Sequence, residues 1–373
     1  MKPKIVIARY KAWDLLNYQE PVICAMLDKG YEVVAVATPD ACVARLEALG
    51  CRFIPLNMHN QSTHPLRDLV VLWKYVCLML REKPLVFLGY TVKPNIYGSL
   101  AARLAGAKII NNINGLGTAF LHNNWLARLV TLLYRLALAS SSKVLFHNQD
   151  DRELFVRSAI VRDENTGLLP GSGVNLTRFS LQPMPSLVQW NGLRFLFVGR
   201  MLWDKGVLEL VEAVGNVKHK YQQTVCCLLG AVDERHPSGI PKARIQAWCE
   251  QGLVTYQPHV EDVRTEMIKA DCVVHPSYYR EGLPKSLLEA AALGRPVITT
   301  DSVGCRDVVE DGVTGYLCKP RDAEDLALKL LAFIELSPEQ RSAMGRAGRA
   351  KAEREFDEQI IVRNYLELLS TLV

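Results

Sequence analysis

The sequence lacks several features by which common classes of protein are recognised. None of its ten cysteines belongs to a CxxC pair, so neither a zinc ribbon nor a thioredoxin-like redox motif is indicated. The longest apolar segment, residues 125–139, contains Arg128 and Arg135 and is too short and too charged to span a bilayer. No segment repeats with a period of about 20 to 50 residues, which excludes solenoids and propellers. The chain begins with a strand-like run instead of a signal peptide, so we expect a cytoplasmic protein.

Acidic residues are missing from one long stretch in the first half of the chain. Residues 83–149 contain no Asp or Glu against seven Lys and Arg. Residues 1–185 contain 21 basic and 13 acidic residues, whereas residues 186–373 contain 23 basic and 26 acidic ones. A basic region of this kind is typical of a solvated surface or of a surface that meets phosphate, nucleic acid or lipid headgroups. The charge alone does not decide between these.

Short apolar runs alternate with helical patterns along the chain, which predicts an α/β protein with parallel sheets. The predicted strands of the first half are residues 4–9, 32–38, 51–56, 85–90, 107–113 and 143–148. Those of the second half are residues 193–199, 224–230, 253–258, 271–277, 296–301 and 314–318. Helices are predicted at about 17–29, 40–49, 66–82, 95–105 and 121–139.

The length of 373 residues suits two domains. Residues 181–192 contain two prolines and no clear periodicity, so we place the linker there. We therefore expect two doubly wound Rossmann-like domains at residues 1–183 and 184–373, with a last helix at about 357–371 that packs back on the first domain. Ligands of such sheets bind beyond the carboxyl ends of the strands, which is where chemistry is expected.

The segment SYYREGLPKSLLEAAALGRPVITTD, residues 277–301, places two glutamates where a predicted strand turns into a helix. Pro284 suits the first turn of that helix, and the free N–H groups at its start form an anion site. Gly282 allows the backbone to approach a ligand closely. Glu281 and Glu289 would then meet hydroxyl groups at the two ends of a ligand. An ordinary helix start that favours acids explains this stretch equally well.

Two cations follow the first strand of the second half, in the sequence FVGRMLWDKG. Arg200 leaves the strand at its carboxyl end, and Lys205 directly precedes the next predicted helix. The carboxyl ends of parallel strands meet at one edge, so both cations are expected near Glu281 and Glu289. Arg can bind a diphosphate bidentately and Lys as a point charge, which makes a plain surface charge the weaker interpretation.

Three motifs, GRMLWDKG, EGLPKSLLE and DGVTGYL, resemble the donor-binding domain of family 4 retaining glycosyltransferases with the GT-B fold. The resemblance spans nearly the whole chain and implies two Rossmann-like domains that face a central cleft. It implies that Arg200 and Lys205 bind the diphosphate of a nucleotide sugar. It also implies that Glu281 contacts the transferred sugar and that Glu289 contacts the ribose hydroxyls.

The same resemblance implies an activity and a place of action. The amides of Gly282 and Leu283 would lie at the phosphate or the sugar. The segments TVKPNIYGSLAARLAGAKIINNINGLGTAF, LWDKGV and DERHPSG are similar to bacterial α-1,3-N-acetylgalactosaminyltransferases that extend undecaprenyl-diphosphate-linked saccharides. A hexosyltransferase of bacterial surface glycan assembly, such as that of O-antigen or lipopolysaccharide, is implied. It would move an N-acetylhexosamine or a hexose from a UDP-sugar to a lipid-linked saccharide.

The lipid-linked acceptor suggests a peripheral protein on the inner leaflet of the plasma membrane, contacting it through the first domain. The predicted helix at 121–139 has one polar stripe on an otherwise apolar surface that includes Trp125 and Tyr134. The stripe is formed by Asn124, Arg128, Thr131 and Arg135. A buried helix and a lipid-facing helix are both consistent with this pattern.

The acceptor side departs from the family pattern. Many relatives carry a glycine-rich loop after the first strand, whereas this chain has ARYKAWDLLNYQ. The candidates for acceptor contacts are Arg9, Lys11, Trp13, Asp14, Asn114 and Gly115. The last two belong to NGLGT, which a plain tight turn explains as well. His147 ends a predicted strand, and a lone histidine is more often a core residue than a base. The resemblance to retaining enzymes implies that the leaving phosphate takes the acceptor proton.

The sequence also bears on cofactors, on metals and on other classes of protein. No cofactor is expected beyond the donor. No DxD-like acid pair stands at a strand end, and Arg200 and Lys205 can replace a divalent metal, so none should be required. A Rossmann dehydrogenase requires GxGxxG after a first strand, and a nucleic-acid binder carries interleaved aromatic residues; neither is present. The open alternatives are a GT-B sugar-nucleotide epimerase, which needs no acceptor, and a non-enzymatic sugar-nucleotide-binding protein.

Overall fold

In the computed structural model the chain forms two compact units, each built on a parallel sheet. The structure describes residues 2–58, 65–116, 125–185 and 192–372. The first unit consists of Met1–Ser172 and Glu358–Val373, and the second of Gly173–Asp357. No helix within the described ranges combines the length and the apolar character needed to cross a membrane.

The first sheet has seven strands in the order β3-β2-β1-β4-β5-β6-β7. They are β1 (Lys4–Lys11), β2 (Glu32–Thr38), β3 (Arg52–Pro55), β4 (Val86–Tyr90), β5 (Lys108–Ile113), β6 (Lys143–Phe146) and β7 (Thr166–Leu168). The strand order reverses between β1 and β4, which pair in parallel with Ile5 opposite Val86. A reversal of this kind leaves a crevice at the carboxyl ends, where ligands of such folds bind.

Helices cover both faces of the first sheet. They are α1 (Ala12–Asp28), α2 (Val43–Ala48), α3 (Pro65–Glu82), α4 (Ser99–Leu104), α5 (Trp125–Leu138) and α6 (Gln149–Arg157). Alternate residues of β1 enter different cores, because successive side chains of a strand point to opposite faces. Ile5 and Ile7 pack in the core with α1, whereas Val6 and Ala8 pack in the core with α3 and α4.

The second sheet has six strands in the order β10-β9-β8-β11-β12-β13. They are β8 (Arg194–Val198), β9 (Val225–Leu229), β10 (Thr255–Gln257), β11 (Cys272–His275), β12 (Val297–Thr300) and β13 (Gly315–Cys318). Its helices are α7 (Val207–Lys218), α8 (Lys242–Glu250), α9 (Arg264–Met267), α10 (Lys285–Ala292), α11 (Ala323–Ile334) and α12 (Pro338–Lys351). The order reverses between β8 and β11, the two strands that are followed by the motifs of the sequence analysis.

The division of the chain falls at Ser172 and not at the expected boundary of 183. Residues 174–184 belong to the second unit because two of its arginines bind their carbonyl groups. Arg295 donates to the Pro183 carbonyl at 2.6 Å, and Arg349 donates to the Phe179 carbonyl at 2.7 Å. Pro183 and Pro185, the two prolines of the predicted linker, therefore lie within a unit instead of between units.

The last helix, α13 (Glu358–Leu372), belongs to the first unit. It packs against α1, and Leu369 is fully buried in the core that the two helices share. The Tyr90 hydroxyl donates to the Tyr365 hydroxyl at 2.8 Å, and Tyr365 donates to Asn112. These bonds connect the end of the chain to β4 and β5.

All twelve strands predicted from the sequence are present, with small differences at their ends. The three-residue strand β7 and the helix α6 were not predicted, since both are short and polar. A π-helix, Pro94–Gly98, precedes α4, and α1 begins at Ala12 and not near residue 17. Residues 121–124, the predicted start of α5, lie outside the described residues.

Candidate active site at the carboxyl edge of the second sheet

Arg200 and Lys205 lie on the segment that connects β8 to α7. Arg200 is exposed and makes no side-chain hydrogen bond or ion pair within the described ranges. Lys205 ends a single 3-10 turn, and Gly206 follows with φ of 71°. A Cβ atom on Gly206 would lie 2.0 Å from the Pro276 carbonyl oxygen, so only glycine allows the two segments to approach. This close approach brings Lys205 next to the chain that follows β11.

The centre of the site is an ion pair between Lys205 Nζ and Glu281 Oε1. Each of these side chains is only 13% exposed. The Ser277 hydroxyl donates to the same carboxylate oxygen at 2.9 Å, and His275 Nε2 lies 3.5 Å from it. The sequence predicted that Lys205 and Glu281 share one edge, whereas the contributions of Ser277 and His275 were not predicted. No motif signals them, because both precede the glutamate on an ordinary buried strand end.

Glu281 is ionised in this arrangement. Burial raises the pKa of its carboxyl, but Lys205 and His275 outweigh burial and hold that pKa well below its ordinary value. Burial also lowers the pKa of His275, and the charge of Lys205 lowers it further, against the opposing effect of Glu281. The imidazole is therefore neutral. A carboxylate can only accept, so a hydrogen bond from the ring to Glu281 requires a protonated Nε2.

Glu289 is the fifth residue of α10 and has a different electrostatic environment. Burial raises the pKa of its carboxyl to about 7, although Lys285 and Arg178 act in the opposite direction. The described residues contain no ion pair of Glu289. Its carboxyl therefore changes charge near neutral pH, whereas that of Glu281 stays ionised.

The turn between β11 and α10 presents free backbone donors. Pro284 is the N-cap of α10 and not part of its first turn, which corrects the position expected from the sequence. The reason is its extended ψ of 116°, with its carbonyl accepting from the Leu287 amide at 3.0 Å. The amides of Gly282 and Leu283 donate no hydrogen bond in the part of the chain that the structure describes. Such donors at a helix start attract anions.

The loop after β12 holds this turn in place. Thr300 and Ser302 both donate their hydroxyl hydrogen to the Ser277 carbonyl, the latter at 2.9 Å. Gly304 has φ of 81°, and a Cβ atom there would lie 1.8 Å from the Gly282 carbonyl oxygen. A glycine is therefore required where this loop touches the turn that carries Glu281.

The candidates at the start of the first unit occupy a strand and a helix. Arg9 and Lys11 lie in β1, and Trp13 and Asp14 lie in the first turn of α1, so no separate loop follows the strand. Arg9 is buried and donates to Gln19 Oε1 at 2.7 Å. Lys11 is exposed, Trp13 is 41% exposed, and Asp14 accepts from the Lys11 amide at 3.1 Å.

Asn114 and Gly115 follow β5 in the first unit. Both polar side-chain atoms of Asn114 are buried and have no partner among the described residues. Gly115 has φ of 100°, a conformation that favours glycine. Burial lowers the pKa of His147 to about 3, and Arg9 contributes to this shift, so His147 is a neutral and weakly basic group. Residues 117 and 118 of the NGLGT motif lie outside the described residues.

The site of the second unit can therefore bind an anion and accept hydrogen bonds from hydroxyl groups. Two cations and two free amides are available for the anion, and Glu289 is available as an acceptor. The described ranges contain no cluster of His, Cys, Asp and Glu that could hold a metal ion.

Comparison with known proteins identifies the class. Residues 17–172 match the glycosyl transferase 4-like domain, and residues 188–351 match the glycosyl transferases group 1. Together with the two doubly wound sheets and the strand-end site, these matches define a glycosyltransferase of the GT-B fold. The chain thus carries a glycosyl transferase 4-like domain followed by a domain of the glycosyl transferases group 1.

Three relatives are distant in sequence but match over nearly their full length. The chain is 26% identical to N,N'-diacetylbacillosaminyl-diphospho-undecaprenol alpha-1,3-N-acetylgalactosaminyltransferase of Campylobacter jejuni, over 96% of both proteins. A glycosyltransferase from Rickettsia africae superposes with a TM-score of 0.81 at 19% identity, covering 100% of this chain and 98% of that one. Anabaena Alr3699/HepE, in complex with UDP and glucose, superposes with a TM-score of 0.80 at 20% identity, covering 99% and 100%. These structures establish the fold.

Replacing Gly304 with alanine should reduce transferase activity by about 10-fold or more, because the new Cβ atom must displace the turn that carries Glu281. Gly312 provides the matched control, since its φ is 75° but nothing lies within 4 Å of its Cβ position. Both substitutions carry a backbone strain of about 1–2 kcal/mol. Initial rates and melting temperatures of the two variants are compared. Equal activities would show that the turn does not depend on Gly304.

Proposed function

We propose that this glycosyltransferase moves a sugar, with retention of its anomeric configuration, from a UDP-sugar to a polyprenyl-diphosphate-linked saccharide. The observation that carries the proposal is the Lys205–Glu281 ion pair beside an unpaired Arg200 and the free amides of Gly282 and Leu283. The substrate named for the Campylobacter jejuni relative, an undecaprenyl-diphosphate-linked saccharide, supports the acceptor class. The UDP bound by Anabaena HepE agrees with the proposed donor.

The diphosphate of the donor binds to Arg200, Lys205 and the amides at the start of α10. Negative charge builds on this diphosphate as the bond from the anomeric carbon to the phosphate oxygen breaks. Preorganised cations and amides stabilise that charge without reorganising. The cations thereby take the place of a divalent metal.

The two glutamates bind opposite ends of the donor. Glu289 accepts hydrogen bonds from the ribose hydroxyls, and its pKa of about 7 means that this requires the ionised form. Glu281 is ionised throughout and orients the transferred sugar. The acceptor hydroxyl forms the new bond to the anomeric carbon, and its proton passes to the leaving phosphate, so no protein base is needed.

The acceptor binds to the first unit. The candidate contacts are Arg9, Lys11, Trp13, Asp14, Asn114 and Gly115. Asn114 supports this assignment because its buried polar atoms have no partner among the described residues, and a buried amide of this kind is costly unless a ligand satisfies it. The exposed ring of Trp13 can stack on a sugar face, and Lys11 can meet a phosphate.

The first unit also carries an exposed apolar surface that suits a peripheral contact with a membrane. On α5 the side chains of Leu129, Leu132 and Leu136 are 42–52% exposed, whereas Tyr134, expected on that surface, is buried in the core. Asn124 and the side chain of Trp125 lie outside the described residues. On α3 an apolar stripe that the sequence analysis did not single out is more exposed still. It consists of Leu66, Leu69, Val70, Trp73 and Leu80, at 51–69%.

Charge supports an anionic lipid surface as the partner of these helices. Arg67 and Lys74 on α3 and Arg128 on α5 are exposed. The acidic residues of α3 are neutralised, since Asp68 pairs with Lys93 at 2.7 Å and Glu82 pairs with several cations. A basic helix with exposed aromatic and aliphatic side chains suits the interface of a cytosolic leaflet. Each cation near such a surface contributes about 1 kcal/mol.

Replacing Arg200 with alanine should lower kcat/KM by about 100-fold, the effect of losing one electrostatic stabiliser. Arg200 is exposed and has no partner in the described part of the chain, so folding should be unaffected. Lys319, an exposed cation that follows β13 at the edge of the same sheet, is the matched control and should tolerate alanine. Lys205→Ala should lower activity similarly, but also the melting temperature, because Glu281 is left buried without its counter-ion. Unchanged turnover in Arg200→Ala would remove this cation from the mechanism.

The two glutamates should differ in their effect on UDP binding. Glu289→Gln should weaken binding of free UDP, whereas Glu281→Gln should leave it unchanged and slow the transfer. The ratio of the UDP affinity of the wild-type protein to that of the Glu289→Gln variant should rise with pH. The midpoint of this rise should lie near pH 7, because the ribose hydroxyls bind to the ionised carboxylate of Glu289. Calorimetric titration between about pH 6 and 8 measures both effects. Equal losses of UDP affinity in both variants would contradict the assignment.

The protein should float with vesicles that contain anionic lipid, less with neutral vesicles, and less at high salt, because screening weakens the cationic contacts. With anionic vesicles, the Trp73→Ala variant should float less than the wild-type protein. Leu328→Ala, which removes a leucine 62% exposed on α11 of the second unit, is the control and should bind as wild type. Absence of binding to anionic vesicles at low salt would argue for a soluble acceptor.

A further inference from the structure

His275 is a buried imidazole that the proposed chemistry does not use. It is the last residue of β11 and is 2% exposed. Its ring stacks in parallel on the Phe197 ring, with centroids 5.6 Å apart and planes 7° apart. Val273 and Val274 precede it on the same strand, which is buried throughout. An apolar side chain would serve packing at such a position, and a polar ring is costly there unless it is hydrogen-bonded.

The charged group beside this ring is Glu281. The Nε2 atom lies 3.5 Å from Glu281 Oε1, the oxygen to which Lys205 and Ser277 donate hydrogen bonds. Two donors and the adjacent edge of the imidazole at one carboxylate oxygen restrict the rotation of the whole carboxyl group. The second carboxylate oxygen is thereby held in one orientation. His275 thus acts on the group that the proposed function places at the transferred sugar.

Lys205 and His275 differ in what donor binding does to them. The proposed function gives Lys205 a second partner, the diphosphate. The diphosphate either draws the ammonium group away from Glu281 or shares that group with it. His275 is neutral, so it has no comparable attraction to a diphosphate. The imidazole and the Ser277 hydroxyl are therefore the donors that continue to orient Glu281 once the donor is bound.

We infer that His275 is a positioning residue that orients Glu281 toward the transferred sugar through its Nε2 hydrogen, with the Phe197 ring fixing the plane of the imidazole. This inference rests on the proposed role of Glu281. Misorientation of a group at the reacting sugar affects the chemical step more than donor binding, since the nucleotide is held elsewhere. Loss of the imidazole should therefore lower kcat, and leave KM for the donor and affinity for UDP near their wild-type values.

The test is a double-mutant cycle. His275→Phe keeps an aromatic ring against Phe197 but removes the donor, and His275→Gln restores an N–H group. Each is combined with Glu281→Gln, and initial rates are measured at high enzyme concentration. Thr299→Val is the matched control, because it removes the 2.7 Å hydrogen bond from Thr299 to the His275 carbonyl at the same buried location without contacting Glu281.

His275→Phe should lower kcat by about 10- to 100-fold in the wild-type background, with UDP affinity retained and with most of the activity restored in His275→Gln. In the Glu281→Gln background the same substitution should have an effect of about 3-fold or less, because residues that act through one another are not additive. Thr299→Val should lower the melting temperature and preserve kcat.

An equal loss of kcat from His275→Phe in both backgrounds would overturn the positioning role, as would the absence of any loss. If Glu281→Gln by itself keeps wild-type activity, the proposed function of Glu281 fails, which this cycle distinguishes from failure of His275. If His275→Phe does not fold, His275→Leu, which also lacks the N–H group, replaces it in the cycle, and the ratio of transfer to donor hydrolysis in that variant decides the question. A misoriented Glu281 should raise the share of hydrolysis, and an unchanged ratio together with additive rates would overturn the inference.

Discussion

The buried ion pair between Lys205 and Glu281 is the interaction on which the arrangement of the second unit's strand-end site depends. Neither charge could be buried alone, since an unpaired buried charge costs several kcal/mol. The segments after β8 and β11 must therefore meet closely enough for the pair to form. Glycines at 206 and 304 allow this approach, because any side chain there would collide with backbone atoms of the neighbouring segments.

The segment from the turn after β11 into α10 carries two carboxyl groups whose pKa values are shifted in opposite directions. Glu281 and Glu289 are both affected by burial, which raises the pKa of each. Of the two, Glu281 alone forms an ion pair within the described residues, and its pKa is therefore low, whereas that of Glu289 rises to about 7. In the proposed function, the fixed negative charge of Glu281 orients the sugar, and the titration of Glu289 near neutral pH makes binding of the nucleotide sensitive to pH.

The first unit differs from the second in how it uses polar and apolar residues. Arg9 lies buried in β1 without a carboxylate partner in the described ranges, bound to Gln19 and stacked over the Tyr18 ring at 4.3 Å. On the outside, α3 and α5 expose apolar side chains flanked by cations. Folded proteins seldom expose large apolar surfaces without a partner, and the membrane contact that we propose would satisfy both the apolar and the cationic character of these helices.

The sequence by itself determined the alternation of strands and helices, because apolar runs of strand length are a local pattern. Its GT-B class followed from the resemblance of three short motifs to family 4 glycosyltransferases, and these motifs are likewise local. The tertiary structure decided that Lys205 contacts Glu281, that His275 and Ser277 share the same oxygen, and that Tyr134 is buried while α3 is exposed. It also assigned residues 174–184 to the second unit, through arginines more than 100 positions away. Contacts between residues far apart in the chain depend on how strands are ordered in the sheet, and no local pattern contains that order.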